Sequence, residues 1–246
     1  MTARFHLPPP LAALPEGSEC PLPASAARHV QVLRLQPGQA ITVFDGLGGQ
    51  YSACITRMGR SEVIVRLGAH QPIEREARRR VHLLTGLMAS ERMDWLIEKA
   101  TELGAARITA LLTRHCALRP SGAHAAKKHA HWQAIASAAC EQSGRNRLPL
   151  IDLPLPWDND LPNDLLNDLP PVRLLLSLSP QAPLLREHAA ALPAGQPVCL
   201  LSGPEGGLSD EEQARAQAAG FAPVSLGPRT LRAETAPIAA LALLAE

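Results

Sequence analysis

Leu200-Leu201-Ser202-Gly203-Pro204-Glu205-Gly206-Gly207 and, further on, Leu226-Gly227-Pro228-Arg229-Thr230-Leu231-Arg232-Ala233-Glu234-Thr235-Ala236 decide how this chain is read. Each turn follows a short apolar run, Val198 to Leu201 in the first case and Val224 to Leu226 in the second. Between them Ser209 and Glu212 have the spacing of a capping box, and Gly220 can end the intervening helix in a left-handed conformation. Strand, glycine turn, helix, strand, glycine turn, helix is a parallel α/β unit with both turns at the carboxyl ends of strands, where α/β sheets bind ligands. Both turns are therefore expected to face one cofactor.

The first turn lacks the Lys and Ser/Thr of a P-loop, and no G-x-G-x-x-G opens a helix elsewhere, which argues against an NTPase or a dinucleotide enzyme. Glu205 beside glycines fits a tight turn with an exposed acid as well as a ligand contact. The second turn gathers Arg229, Arg232 and Glu234, with Thr235 available to cap the final helix. Two cations near a helix start oppose its dipole, so their presence points to a phosphate or a developing anion.

Upstream, the same α/β alternation continues. Val81 to Leu87, Arg107 to Leu112, Leu148 to Ile151 and Val172 to Leu178 read as strands. The helices are a Ser90-capped one stopped by Gly104, Ser121 to Ser143 ending at Gly144, and Leu184 to Ala191. Residues 152–171, rich in Pro, Asp and Asn, read as an irregular connection. Residues 1–72 differ. Ser25 is expected to cap a short helix stopped by Pro37-Gly38. Three strands follow (Ala40 to Phe44, Gln50 to Arg57, Ser61 to Leu67) with hairpin turns between them, suggesting a small barrel. Residues 1–80 carry ten arginines against six acids, in a chain whose formal net charge is only +1. That excess fits contact with a phosphate backbone or a solvated surface.

At 246 residues, 46% hydrophobic, the chain has ample material for one large or two modest domains. No apolar stretch reaches the roughly 18 residues of a membrane helix, and the first residues do not read as a signal peptide. The five cysteines are scattered and form no C-x-x-C, as expected of free thiols in the cytoplasm. His124, His129 and His131 do not share one helix face, so no metal site is expected. Neither a Gly-x-Ser-x-Gly elbow nor an evident Cys–His pair supports a hydrolytic nucleophile.

Taken together, these motifs resemble one family. Met93-Asp94-Trp95-Leu96-Ile97-Glu98-Lys99-Ala100-Thr101-Glu102-Leu103-Gly104 is similar to its first signature, and Glu141-Gln142-Ser143-Gly144-Arg145 with Pro149 to its second. The two turns quoted above are similar to the third and fourth, and Arg4-Phe5 with His29-Val30-Gln31-Val32-Leu33-Arg34 fits the amino-terminal pattern. Ala89, Glu98 and Thr230 depart from it, where Lys, Gln and Ile are expected. This is the bacterial 16S rRNA uridine-N3 methyltransferase family, within the SPOUT class.

The resemblance implies an α/β protein: a PUA-like β-barrel RNA-binding domain over 1–72, and a trefoil-knotted, mostly parallel α/β methyltransferase domain over 73–246. It implies S-adenosylmethionine (SAM) as cofactor, held by Leu176, Leu178, Leu201, Gly203, Glu205, Gly206, Gly207, Leu226, Gly227, Leu231 and Thr235. It further implies an obligate homodimer acting on 16S rRNA within the 30S subunit. Because N3 of uridine bears a proton, a general base or nearby positive charge is needed. Glu234 with Arg232 is the expected pair, with Arg229 and Glu205 as the other candidates. Arg4, His29, Arg34, Gln142 and Arg145 are expected to contact RNA. Two other readings stay open: a ribose 2′-O-methyltransferase on the same fold, and an RNA-binding assembly factor without turnover.

Overall fold

The structure is a computed structural model that describes residues 2–8, 10–158 and 161–245. Its contacts divide the chain into two units, one of residues 1–76 with 137–148, the other of residues 77–136 with 149–246.

In the first unit, β1 (Arg4–His6), β2 (Glu19–Pro21), β3 (Ala40–Phe44), β4 (Gln50–Met58) and β5 (Val63–Gln71) form one sheet in the order β1-β3-β4-β5-β2. Only β1 with β3 is parallel. The three longer strands are those expected from alternation; β1 and β2, at three residues each, are too short to show a period. Register shifts at Tyr51/Ala53 and Ile55/Arg57 bend β4 against β5. Phe5, Val30, Val43, Ile55, Val63 and Val65 close the core beneath, all fully buried.

Helix α1 (Ala24–Val32) corrects two expectations. Pro23 is its N-cap and Ser25 makes no capping bond, since Ser25 already lies inside the helix. Its stop is Arg34, at φ 54°, with the Leu35 N–H returning to the Val30 carbonyl. A non-glycine residue there costs on the order of 1 kcal/mol.

The second unit is a seven-stranded parallel sheet. Its strands are β6 (Val81–Gly86), β7 (Arg107–Leu112), β8 (Leu150–Ile151), β9 (Leu155–Pro156), β10 (Val172–Leu176), β11 (Val198–Ser202) and β12 (Ala222–Val224). The order is β12-β10-β11-β6-β7-β8, with β9 also on β7. β6 and β11, central in that order, are buried at every position, as expected of a sheet covered on both faces. One face packs Leu83, Ile108 and Leu200 against helices α2 (Ser90–Glu102), α3 (Gly122–Ser143), α5 (Leu185–Ala191) and α7 (Thr235–Leu244).

The other face corrects the reading of residues 152–171. β9 and helix α4 (Asn163–Asp168) lie in this segment; β9 joins the sheet beside β7, and α4 with α6 (Asp210–Ala218) covers this face. Trp157, Leu161, Leu165 and Leu169 pack on Leu84, Leu111 and Leu175. The guanidinium of Arg173 fixes the segment by donating to the carbonyls of Leu166 and Pro170.

Several helix ends follow the expected chemistry. Ser209 and Glu212 form the capping box of α6, and Gly104 and Gly220 terminate α2 and α6 at φ 91° and 87°. Ser90, by contrast, is the first residue of α2 and does not cap it; the N-cap is Ala89, which has no side chain to offer.

Candidate cofactor and active site

Three loops at the carboxyl ends of β10, β11 and β12 enclose a cavity of about 490 Å³. Its lining includes Leu176 at the end of β10 and Leu178 after it, Gly203, Glu205, Gly206 and Gly207 after β11, and Leu226, Gly227, Arg229 and Leu231 after β12. The apolar leucines and the many backbone groups of this lining suit a ligand with a flat apolar part and several hydrogen-bonding edges. Leu201, Thr235, Arg232 and Glu234 are not among the lining residues: Leu201 is fully buried inside β11 and Thr235 is the first residue of α7. Leu178, expected within a strand, lies in the loop instead and is 77% exposed.

The glycines of the first turn serve different ends. A Cβ on Gly203 would meet the Leu208 nitrogen at 2.8 Å, and one on Gly206 would meet His115 Cβ at the same distance. Gly207 has open space but sits at φ 69°, which a side chain strains. From β6, Gly86 lets Pro204 come so close that a Cβ would lie 2.3 Å from the proline ring.

This turn is also clamped from outside. The Glu205 carboxylate accepts the Ala89 N–H at 3.0 Å and pairs with Arg92 at 3.4 Å. It thereby caps α2 from a distance, in place of the expected Ser90, with a negative charge favoured at a helix start. His115, after β7, lies with Nδ1 at 3.0 and 3.1 Å from the carbonyls of Gly206 and Gly207, so Nδ1 carries the hydrogen. Behind the turn, Glu212 accepts the N–H groups of Ser209 and Arg114. Glu205 is thus committed to neighbours, which weakens its case as a base. His115 escaped the sequence reading; its one available signal was its place just past the end of β7, on the ligand-binding edge.

The second turn is held differently. Ser225 Oγ accepts the Gly227 N–H at 3.1 Å, and the Arg232 carbonyl accepts the N–H groups of Thr235 and Ala236. Glu234 is the N-cap of α7 but makes no side-chain capping bond, and Thr235, expected to cap the helix, is its first residue instead. Glu234 Oε2 is buried and has no hydrogen-bond partner. Arg229 and Arg232 are exposed and have no carboxylate partner among the described residues. A buried unpaired carboxylate oxygen flanked in sequence by free guanidiniums is costly unless a ligand uses it.

The family models match both parts of the chain: an RNA methyltransferase domain over residues 75–245 and an RNA methyltransferase PUA domain over residues 22–68. The ribosomal RNA small subunit methyltransferase E of Synechocystis is 34% identical over 214 residues, which is 86% of this chain and 67% of that one. The chain belongs to the ribosomal RNA small subunit methyltransferase E family. Two solved relatives agree with the methyltransferase E fold over nearly the whole length. A Legionella pneumophila protein in complex with bound SAM has a TM-score of 0.89 at 34% identity, covering 99% of this chain and 97% of its own. The Neisseria gonorrhoeae methyltransferase E, bound to SAM, has a TM-score of 0.84 at 32% identity, covering 98% and 96%.

The residues expected to meet RNA lie in the first unit of this methyltransferase E family member, and they divide into two sets. His29, Arg34 and Gln142 are exposed. Arg145 is 3% exposed, with its guanidinium on Glu76, and Arg4 donates to Gln50 and Asn146 at 2.6 Å while lying over the Phe44 ring. Both cations are thus engaged in holding the unit together. Two of the three histidines of α3 also have ordinary partners: His129 on the Ile151 carbonyl and His131 on Asp94.

Proposed function

We propose that this chain is a SAM-dependent methyltransferase that methylates N3 of a uridine in 16S rRNA of the small ribosomal subunit, working as a knotted homodimer in the cytoplasm. The observation that carries this reading is the cavity at the carboxyl edge, in a chain of this family, with the unpartnered Glu234 carboxylate next in sequence to its lining residue Ala233. SAM, when bound, supplies an activated methyl group and needs no further activation by protein. Leu176, Leu178, Leu226 and Leu231 would pack against it, and the backbone of Gly203 to Gly207 and of Gly227 would meet its polar edges.

The protein's chemical task is then to prepare the nucleophile. Uridine N3 is useful only after its proton leaves. The Glu234 carboxylate, whose Oε2 has no hydrogen-bond partner in the fold, takes that proton. Arg232 and Arg229, exposed and without a carboxylate partner among the described residues, stabilise the negative charge that spreads to O2 and O4. Glu205 holds the cofactor wall and stays out of the proton transfer. In the first unit, exposed Arg34, His29 and Gln142 contribute RNA contacts, so binding weakens as salt rises.

Support for the homodimer comes from α7. Residues 236–245 contain no polar side chain, yet Leu243 remains 45% exposed, and Trp95 on the neighbouring α2 is 40% exposed. A helix that is apolar all round is ordinarily buried.

The deciding experiment is methyl transfer from labelled SAM to small subunits that lack the modification, followed by digestion and nucleoside analysis. Recovery of 3-methyluridine is expected. A 2′-O-methylated nucleoside would replace the base-methylation reading, and the absence of both transfer and SAM binding would sink the enzyme reading altogether.

A further inference from the structure

The amino-terminal edge of the parallel sheet carries a second cavity, of about 460 Å³, which the proposed reaction leaves unused. Arg80, His82, Arg107 and Asp168 line it together with Pro170, Pro171 and Pro197. His82 is 5% exposed, and its Nε2 lies 2.8 Å from Thr109 Oγ1. The Thr109 hydroxyl has a single hydrogen, which it donates to Asp152. It must therefore accept from His82, so Nε2 carries the ring hydrogen and Nδ1 is a bare acceptor. Burial keeps the ring neutral by pushing its pKa down to about 4. Among the described residues nothing donates to Nδ1.

The two arginines differ. Arg107 is saturated, giving Nε and Nη2 to Asp152 at 2.7 and 3.1 Å and Nη1 to Asp168. Arg80 is exposed and has no carboxylate partner among the described residues. The cavity thus offers one acceptor on a largely buried ring, one free cation, a carboxylate already paired with Arg107, and apolar proline walls that suit a flat ring. A ligand that satisfies the acceptor, the cation and the walls carries an N–H donor on an aromatic heterocycle and an anionic group.

We propose that this cavity binds a single nucleotide, with a base N–H donating to His82 Nδ1 and the phosphate held by Arg80. The choice of a nucleotide over other anionic heterocycles rests on the RNA-modifying reading above. The nucleotide is either free or part of an RNA strand, and the chemistry is the same for both.

Calorimetric titration of the full chain with the four nucleoside 5′-monophosphates, the four nucleosides and inorganic phosphate tests this. At least one monophosphate is expected to bind more tightly than its nucleoside and than phosphate. Arg80→Gln should weaken monophosphate binding about tenfold and leave the nucleoside unchanged, because an exposed charged contact to one anion is lost. Ala106→Phe, which fills the cavity, should abolish both. SAM titration, within twofold of the native chain, shows that each variant is folded. Displacement of the monophosphate by a short RNA oligonucleotide at lower concentration assigns the site to RNA; failure to displace assigns it to free nucleotide. Absence of binding at millimolar monophosphate, binding indifferent to both substitutions, or equal affinity for inorganic phosphate overturns the proposal. Methyl transfer plays no part in these readouts, so loss of the proposed enzyme function would not be confused with loss of this site.

Discussion

The two edges of the parallel sheet are built from opposite materials. At the carboxyl edge the cavity is walled largely by backbone: three strand-end loops, glycines where side chains would collide, and leucines between them. At the amino edge the wall carries charged and polar side chains, among them His82 and Arg107, which Thr109 and Asp152 behind the wall join in one hydrogen-bonded chain. Backbone lining lets a ligand approach closely and leaves few charges to titrate. Side-chain lining brings fixed charge and a dependence on pH. One edge is therefore expected to respond to substitution through turnover and cofactor affinity, the other through acid stability.

The largest expected effect falls at the carboxyl edge. Glu234→Gln keeps the shape and removes the proposed base, so turnover should drop by roughly 10²- to 10⁴-fold with SAM affinity within twofold. Turnover near the native value, measured by methyl transfer to small subunits, would leave the carboxyl edge as a binding site without its base.

At the amino edge the effect is on pH. His82 has an ordinary pKa of 6.5 and is held at about 4 in the fold, mainly by burial. The unfolded chain takes up a proton that the folded chain refuses. This stability is complete above pH 6.5 and is lost as pH falls toward 4, amounting to about 3 kcal/mol by pH 4.5. Urea midpoints at pH 7.5 and 4.5 should show a steeper loss for the native chain than for His82→Leu. Parallel losses in the two proteins would remove the contrast between the edges.

Next in size is Gly86→Ala, which places a Cβ 2.3 Å from Pro204. Overpacking should cost roughly 1–3 kcal/mol and weaken SAM binding, read from thermal midpoints with and without SAM. An unchanged SAM increment would mean that the Pro204 contact does not shape the cavity.

The smallest effect separates the two acids of the carboxyl edge. Glu205→Gln loosens the clamp on Ala89 and Arg92 and should raise the SAM dissociation constant about fivefold, with turnover nearly unchanged. A hundredfold loss of turnover would exchange the roles of Glu205 and Glu234.

What could be read from sequence depended on how local the cause was. The capping box of Ser209 with Glu212 and the glycine stops at Gly104 and Gly220 act within a few residues, and they stand where the residues placed them. The Glu205 cap on Ala89 joins residues 116 apart, and no local pattern encodes it. Arg145 shows the same limit in reverse: its charge suggested RNA, while its burial on Glu76 depends on a segment far away in sequence. The segment 152–171 did carry a usable signal, since Trp157, Leu161, Leu165 and Leu169 recur every four residues. Proline and asparagine content obscured it.

The long helix α3 has one more consequence, for anyone who would divide the protein. Its residues up to Ala136 count with one unit and those from Ser137 with the other. A fragment ending at residue 76 would lack Glu141, which receives the His6 N–H, and Asn146, which receives Arg4. It would also leave Glu76 without Arg145. Such a fragment would expose a cut face lined with broken ion pairs and orphaned donors. No single cut in the chain separates these two units, and an amino-terminal piece that keeps its own contacts would need residues 137–148 grafted back by a linker.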